Sequence, residues 1–275
     1  MPLNTISVEK FSAILENEYQ LTERLLSGTT NEVHGVVGKI YNAPFASPWD
    51  LVDRGAYHSN VQRVIAEYRS VPITMEKKTA LVANDIFEQS EVLASELQNF
   101  ARQAAAALSR AQDQIILNAM IDSTPDETVG ATSNLTVNDL VDTKKLLDKK
   151  AIPNQNRFFI GTEEQQASLL KQEKATSADY ATVKALARGE IDTYLGFKFI
   201  WVPTGMTTGG LPISTSIRKC YAFHMDALTT PYAMEPSVST DWDTNTQSYL
   251  VVPKFIMGSK VVRTDGIVLV NCTEA

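Results

Sequence analysis

Between Asp85 and Ile121 the chain contains neither glycine nor proline. Through that stretch Ile86, Leu93, Leu97, Phe100, Ala104, Leu108, Ala111 and Ile115 recur at separations of seven, four, three, four, four, three and four residues. This spacing marks one face of an unbroken α-helix. With Asn84 or Asp85 capping its start, a continuous helix here is on the order of 55 Å long. A rod of that length is a spine on which other parts are laid, well beyond the usual helix of a globular enzyme. The alanines at 104–107 allow a sheet or a second helix to approach closely. A coiled coil is the competing reading, but strict heptad a and d positions fail after Phe100.

The segments before the spine have a different texture. Phe11, Ile14, Leu15, Tyr19, Leu25 and Leu26 form a ragged helical stripe that ends in "LSGTTNEVHG". An arm helix this short has too little apolar surface to stand alone, so it must dock on something. From Val36 to about Leu81 three imperfectly alternating runs, "VVGKIY", "VQRVIAEYRSV" and "ITMEKKTALV", read as strands. The connection from Asn42 to His58 carries Pro44, Pro48 and Gly55 together with Phe45, Trp49 and Tyr57. A long connection inside a compact domain is usually a binding loop, and aromatic side chains on a projecting hairpin suit a protein–protein contact. The alternative is a loop folded back onto its own core.

Beyond the spine, "DSTPDETVGATSN" is a polar boundary. Thr136 then caps a helix with Asp139 at the box position and Leu135 and Leu140 as its staple. That helix ends near Lys149 and Lys150, and Pro153 prevents its continuation. Phe158, Phe159 and Ile160 form a short strand broken by Gly161, after which Thr162 starts a helix with Gln165 at box spacing. A helix N-terminus of this kind is able to hold an anion, yet the turn offers Glu163 and Glu164 where a phosphate site needs a lysine or a second glycine. Two closing strands are expected at Tyr249–Gly258 and Lys260–Val270, with Pro253 at an edge or bulge. The fold class is α+β, without the alternation of a doubly wound sheet.

Candidate chemistry is sparse. The 275 residues carry a formal charge of -7, which argues against tight, sequence-independent gripping of nucleic acid. Cys220 and Cys272 form no CxxC pattern, so neither a metal nor a disulfide framework is expected. His34, His58 and His224 sit in unrelated segments without zinc spacing. Cys220 and His224, four apart on a strand, are some 13 Å from each other by strand geometry, too far for a nucleophile pair. "VSTDWDTNTQ" lacks the glycine and glutamate of a calcium loop, and the glycine-rich "TGMTTGG" lacks the GK[ST] of a phosphate loop. The lysine pairs at 77–78, 144–145 and 149–150 are interspersed with acids. No catalytic, cofactor-binding or metal residue is therefore assigned. The N-terminus has no secretory h-region, and no apolar run is long enough to span a membrane.

Taken in order, the leading arm, the long hairpin loop, the spine through "ARQAAAALSRAQDQIILNAMI", the segment "LTVNDLVDTKKLLDKKAIPNQNRFFIGTEEQQASLL", then "ALARGEIDTYLGFKFIWVP", "YAFHMDAL" and "VVPKFIMGSKVVRTDGIVLV" resemble the major capsid proteins of tailed bacteriophages, the Hong Kong 97-type fold. The resemblance implies an N-terminal arm at 1–35, an extended hairpin at 36–82, a peripheral domain with the spine at 83–130 and its closing strands at 232–275, and an axial domain at 131–231. In that arrangement "GEIDTYLGFKFIWV" turns into a central strand of the axial domain. The implied function is a structural, non-enzymatic subunit of the icosahedral head that encloses double-stranded DNA without reading its sequence. Phe45, Trp49, Tyr57, Phe11 and Leu15 are the expected subunit-interface residues. The implied partners are further copies in hexamers and pentamers, a separate scaffolding protein, a portal protein and a decoration protein. Assembly is expected in the host cytoplasm, with the protein ending in the virion. An encapsulin-type cellular compartment, or an α+β enzyme using Cys220 or the acidic loop at Asp241, are the alternatives.

Overall fold

The computed structural model describes residues 24–46, 49–53, 55, 60, 63–65, 67–85, 96–130, 133–171, 193–204 and 210–274, with backbone alone at 84–85 and 96–101. The described spine, α1 (Glu96–Ile121), has 26 residues and is about 39 Å long. Val82–Asp85 is a strand, β5, paired antiparallel to Ser248–Val251, so strand pairing continues to Asp85, and the expected helix start just beyond it lies outside the described residues. Ile86 and Leu93 lie outside the described residues, as do the side chains of Leu97 and Phe100. Further along, Ala104, Ala106, Ile115, Ile116, Leu117 and Met120 are buried, Leu108 and Ala111 half-buried, and Ala105 and Ala107 exposed.

The small alanine face packs on a six-stranded sheet. Its long members are β12 (Leu228–Asp243) and β13 (Ser248–Met257), an antiparallel pair with register shifts between Tyr232 and Ser237. β13 is the strand that α1 contacts most extensively, and its alternate residues Val251, Phe255 and Met257 are buried, the period-2 signature of a half-covered sheet. β1 (Asn31–Val33) joins β12 in parallel, β14 (Lys260–Val261) joins it antiparallel, and β4 (Glu76–Thr79) and β5 both join β13. Pro253 is therefore not at a sheet edge. It sits inside β13 where the partner changes from β4 to β5, and a missing N–H costs nothing at that interruption.

The hairpin is a separate two-stranded sheet of β2 (Ile40–Ala46) and β3 (Tyr68–Thr74), paired from Ile40 with Thr74 to Ala46 with Tyr68. Both strands begin and end later in the chain than the runs expected at 36–41 and 61–71, so β2 reaches further toward the tip and β3 starts further from it. The run expected as one strand over 73–82 is divided between the end of β3, β4 and β5. Pro44 and Pro72 lie inside the ladder, tolerated because each strand of a two-stranded sheet keeps one open edge.

A seven-stranded mixed sheet runs β6 (Glu127–Gly130), β15 (Ile267–Thr273), β11 (Ile217–His224), β7 (Arg157–Gly161), β9 (Phe197–Trp201) and β8 (Thr193–Tyr194), with β10 (Ile213–Ser214) added to β11. All five residues of β7 are buried, as expected of a strand covered on both faces. The two expected closing strands are divided between sheets: β13 belongs with α1, whereas β15 pairs with β11 and β6. Residues 258–266 are the crossing. The strand after "GEIDTYLG", β9, lies inside the sheet between β7 and the short edge strand β8.

Helix α2 (Val137–Lys149) begins as its sequence dictates. The Thr136 hydroxyl accepts from Asp139 N, and the Asp139 carboxylate accepts from Thr136 N. Leu135 and Leu140 are both buried. At its far end the buried Arg157 donates through Nε to Pro153 O at 2.8 Å and pairs through Nη2 with Asp148 at 2.8 Å, tying the helix C-terminus to β7. A single apolar cluster runs from Ile116 and Met120 of α1 through Leu140, Phe159 and Phe223 to Phe255.

Candidate functional site

At the hairpin stem Ala43, Ile73 and Met75 are buried while Val37 and Ile40 are exposed, and the Arg263 guanidinium lies over the Phe45 ring, 4.9 Å from its centroid. Beyond the stem Trp49, Leu51, Val52, Ile65 and Tyr68 are exposed, Leu51 by 89%. One element thus carries several large apolar residues into solvent, whereas isolated ones need no explanation. Of the residues expected at the interface, Phe45 is half-buried beneath Arg263, Trp49 is exposed, and Tyr57, Phe11 and Leu15 lie outside the described residues.

The described chain starts at Arg24, where the arm joins the body. Leu25 N and Leu26 N donate to the two carboxylate oxygens of Asp113 at 2.9 and 3.1 Å, so a carboxylate on the spine caps the turn that follows the arm. Burial pushes the Asp113 carboxyl above its ordinary range, against the pull of those two N–H groups and of Arg24. Arg24 also pairs with Glu32 at 2.9 Å and lies over the Tyr232 ring. His34 stacks on the other side of the same neighbourhood, 5.2 Å from Tyr232, and binds Glu235 at 2.6 Å. The sequence held one signal for this cluster: Asp113 is an acid on a helix turn whose neighbours Ile116, Leu117 and Met120 are core residues.

The strand-and-helix unit at β7 closes on itself. Thr162 N and its hydroxyl both donate to Gln165 Oε1 at the start of α3 (Glu163–Lys171). Gln165 Nε2 then donates to Glu274 at 2.8 Å, and Arg218 grips Glu274 with Nε–Oε1 and Nη2–Oε2 contacts of 2.9 Å each. Glu163 accepts from Thr204 N and hydroxyl. The helix start is therefore occupied by the chain's own acids and amides, and this rim is a packing joint.

Among the described residues the remaining candidates do not assemble a reactive centre. Cys220 and Cys272, far apart in sequence, come together on the adjacent strands β11 and β15 as buried free thiols. Their mutual hydrogen bond and burial push the Cys220 thiol up, the opposite of an activated nucleophile. His224 Nδ1 accepts from Asp226 N at 3.2 Å as a turn cap. Asp243 accepts from Asn245 N and the Thr246 hydroxyl in the turn between β12 and β13, and these bonds hold its carboxyl low. A cavity of about 260 Å³ between α1 and β4 is lined by Lys78, Arg110, Gln114 and Asn118 with small apolar neighbours and holds no acid–base pair. No helix among the described residues is long and apolar enough to cross a membrane, and no cluster among them has metal-ligand geometry. His58 and Gly205–Gly209 lie outside the described residues.

Comparison with known proteins gives an independent reading. The sequence profile of a family described as "Phage capsid protein" matches residues 3–274. No curated protein matches the chain in sequence. Among solved structures, one from Mycobacterium phage Che8 is 20% identical, with a TM-score of 0.70 and 93% of each chain covered. The head structure of Helicobacter pylori bacteriophage KHP40 gives 10% identity, a TM-score of 0.76 and 93% coverage of both chains. The capsid of cyanophage P-SCSP1u gives 14%, a TM-score of 0.73, and coverage of 94% of this chain and 90% of that one. At these identities the structural likeness establishes a shared fold.

Proposed function

From the premise that this chain belongs to the phage capsid protein family and is a structural major capsid protein of the Hong Kong 97-type fold, we propose that its hairpin is the part by which one copy holds the next. The exposed tip with Trp49, Leu51 and Ile65 lies over a neighbouring subunit, as does Tyr57, and the arm with Phe11 and Leu15 makes a second contact. What carries this reading is the run of large apolar side chains, Trp49, Leu51, Val52 and Ile65, that the hairpin leaves exposed beyond its strands.

In this reading the two sheets correspond to peripheral and axial domains. The six-stranded sheet with α1 is peripheral, and the seven-stranded sheet with α2 and α3 surrounds the symmetry axes of hexamers and pentamers. The shell is built in the host cytoplasm around a separate scaffolding protein, joined to a portal and open to a decoration protein. It encloses double-stranded DNA, which its net acidity keeps from binding tightly. Catalysis has no part in this role, and the family match favours neither an encapsulin-type compartment nor an enzyme.

The test is the double variant Trp49→Ser, Leu51→Ser. Both side chains are exposed, so melting of the soluble subunit stays within about 2 °C of wild type, while the yield of closed particles collapses. A double variant that melts normally and builds normal shells refutes the reading.

A further inference from the structure

The corner at residues 258–266 touches three bodies at once. It leaves β13 of the six-stranded sheet and enters β15 of the seven-stranded sheet, and on the way it meets the stem of the hairpin. Gly258 lies so close to that stem that an added Cβ would stand 2.5 Å from Thr74 O and 3.0 Å from Ile73 Cγ2. Lys260 Nζ donates to Pro72 O at 3.2 Å. Arg263 covers the Phe45 ring on the opposite strand of the stem. The corner is itself anchored. Val262 N and Arg263 N both donate to Ala227 O, at 2.8 and 3.3 Å, and Gly266 sits so tightly against Ala227 that a Cβ would approach its Cβ to 2.8 Å.

Arg263 has an unusual position within this corner. Its Nε is buried and finds no hydrogen-bond partner among the described residues, a costly state for a guanidinium N–H. The aromatic face of Phe45 is the compensating contact in reach, since a ring's negative face attracts a cation. A two-stranded hairpin has no sheet neighbours to fix its direction, so its direction depends on what grips the stem.

We propose that Arg263, seated on Phe45, fixes the direction in which the hairpin leaves the subunit and is a positioning residue for shell assembly. Because its own backbone is tied to the crossing between the two sheets, the hairpin's direction and the arrangement of the sheets are read by one side chain. Copies whose hairpins all leave at one angle meet their neighbours at one angle, and this restricts the curvature of the shell. The proposal rests on the reading of the hairpin as the contact between copies, and its experiment separates the two.

Spin labels are placed on the exposed positions Arg69→Cys of the hairpin and Lys254→Cys of β13, with Cys220 and Cys272 buried and unreactive. Distance distributions are measured on the free subunit of the labelled parent and of that parent carrying Arg263→Met, Arg263→Lys or Phe45→Leu. Particle sizes are scored by electron microscopy on unlabelled protein. Expected are a narrow distribution for the parent and a displaced population raised about two- to five-fold by Arg263→Met and by Phe45→Leu. Particles of mixed size or open sheets accompany this change. Arg263→Lys, which keeps a cation over the ring, restores most of both properties.

An unchanged distance distribution in Arg263→Met overturns the clamp, whatever the particles look like. A broadened distribution with uniform, normal particles overturns the positioning role. If Arg263→Met lowers the subunit's melting point as well, Phe45→Leu, which removes the ring from the hairpin side, decides the matter by the same two readouts. The tip variant at Trp49 and Leu51 fails or succeeds separately, since it leaves Arg263 and Phe45 in place.

Discussion

Replacing Glu274 with Gln and Arg218 with Met, singly and together, isolates the pair that fastens the last described strand to β11 and, through Gln165, to the start of α3. In the native protein the guanidinium meets the carboxylate through two contacts of 2.9 Å, while its Nη1 donates to Leu211 O at 2.7 Å. Both side chains are only 12% exposed. A surface ion pair contributes about 0–1 kcal/mol, whereas a bidentate charge-assisted pair shielded from water contributes more. Solvent still reaches one side, so each single substitution should cost about 1.5–2.5 kcal/mol and the cycle should give a coupling of about 1–1.5 kcal/mol. The double mutant costs less than the sum because it strands no charge.

The assay is urea unfolding of the soluble subunit at concentrations below assembly, with transitions for the two sheets fitted separately if they part. The pH dependence supplies a second check. Arg218 holds the Glu274 carboxyl below its ordinary value of 4.5, so the native state binds that proton more weakly than the unfolded chain. The stabilisation is present above the ordinary value and is lost as pH falls through the depressed one. A coupling under about 0.5 kcal/mol at neutral pH, or one that persists unchanged in acid, would refute the argument.

Asp113 titrates in the opposite sense. Its carboxyl is raised above 3.8 by burial, so the native state binds that proton more tightly than the unfolded chain and loses stability as pH rises through the raised value. The stability of Asp113→Asn relative to wild type should therefore increase between about pH 4 and pH 8; a constant difference in denaturant midpoints contradicts this. Gly130→Ala should cost about 2–4 kcal/mol, because Gly130 has φ +85 and an added Cβ would stand 2.3 Å from Asn271 O on the paired strand. Wild-type unfolding of that variant would mean that β6 moves aside without loss.

Local chemistry made several elements legible. The Thr136 box, the lysines and proline that end α2, the apolar run of β7 and the Thr162 helix start depend on residues within one or two turns of each other, so their spacing carries the information. The order of segments likewise carried the family. What the spacing left open were choices between two locally acceptable partners. The run at 73–82 reads as one strand, and pairing with β2 and with two stretches of β13 divided it among β3, β4 and β5. Phe45 has the character of an interface residue, and Arg263, more than two hundred positions later, lies over its ring within the same subunit.

The same holds for the sites where charge is buried. Asp113 with the backbone of Leu25 and Leu26, and Arg218 with Glu274, are pairs whose members have no fixed separation in the chain. Cys220 and Cys272 are neighbours because β11 and β15 are. The sequence by itself determined the locally capped helices, the apolar run of β7 and which residues are apolar enough to require cover, because those properties arise from side-chain volume, backbone sterics and hydrogen bonding over a few residues. Only the tertiary structure decided which strands pair and which apolar residues receive that cover within the subunit. Burial is a property of the space between elements, and that space exists only once the two sheets, the spine and the corner joining them are in place.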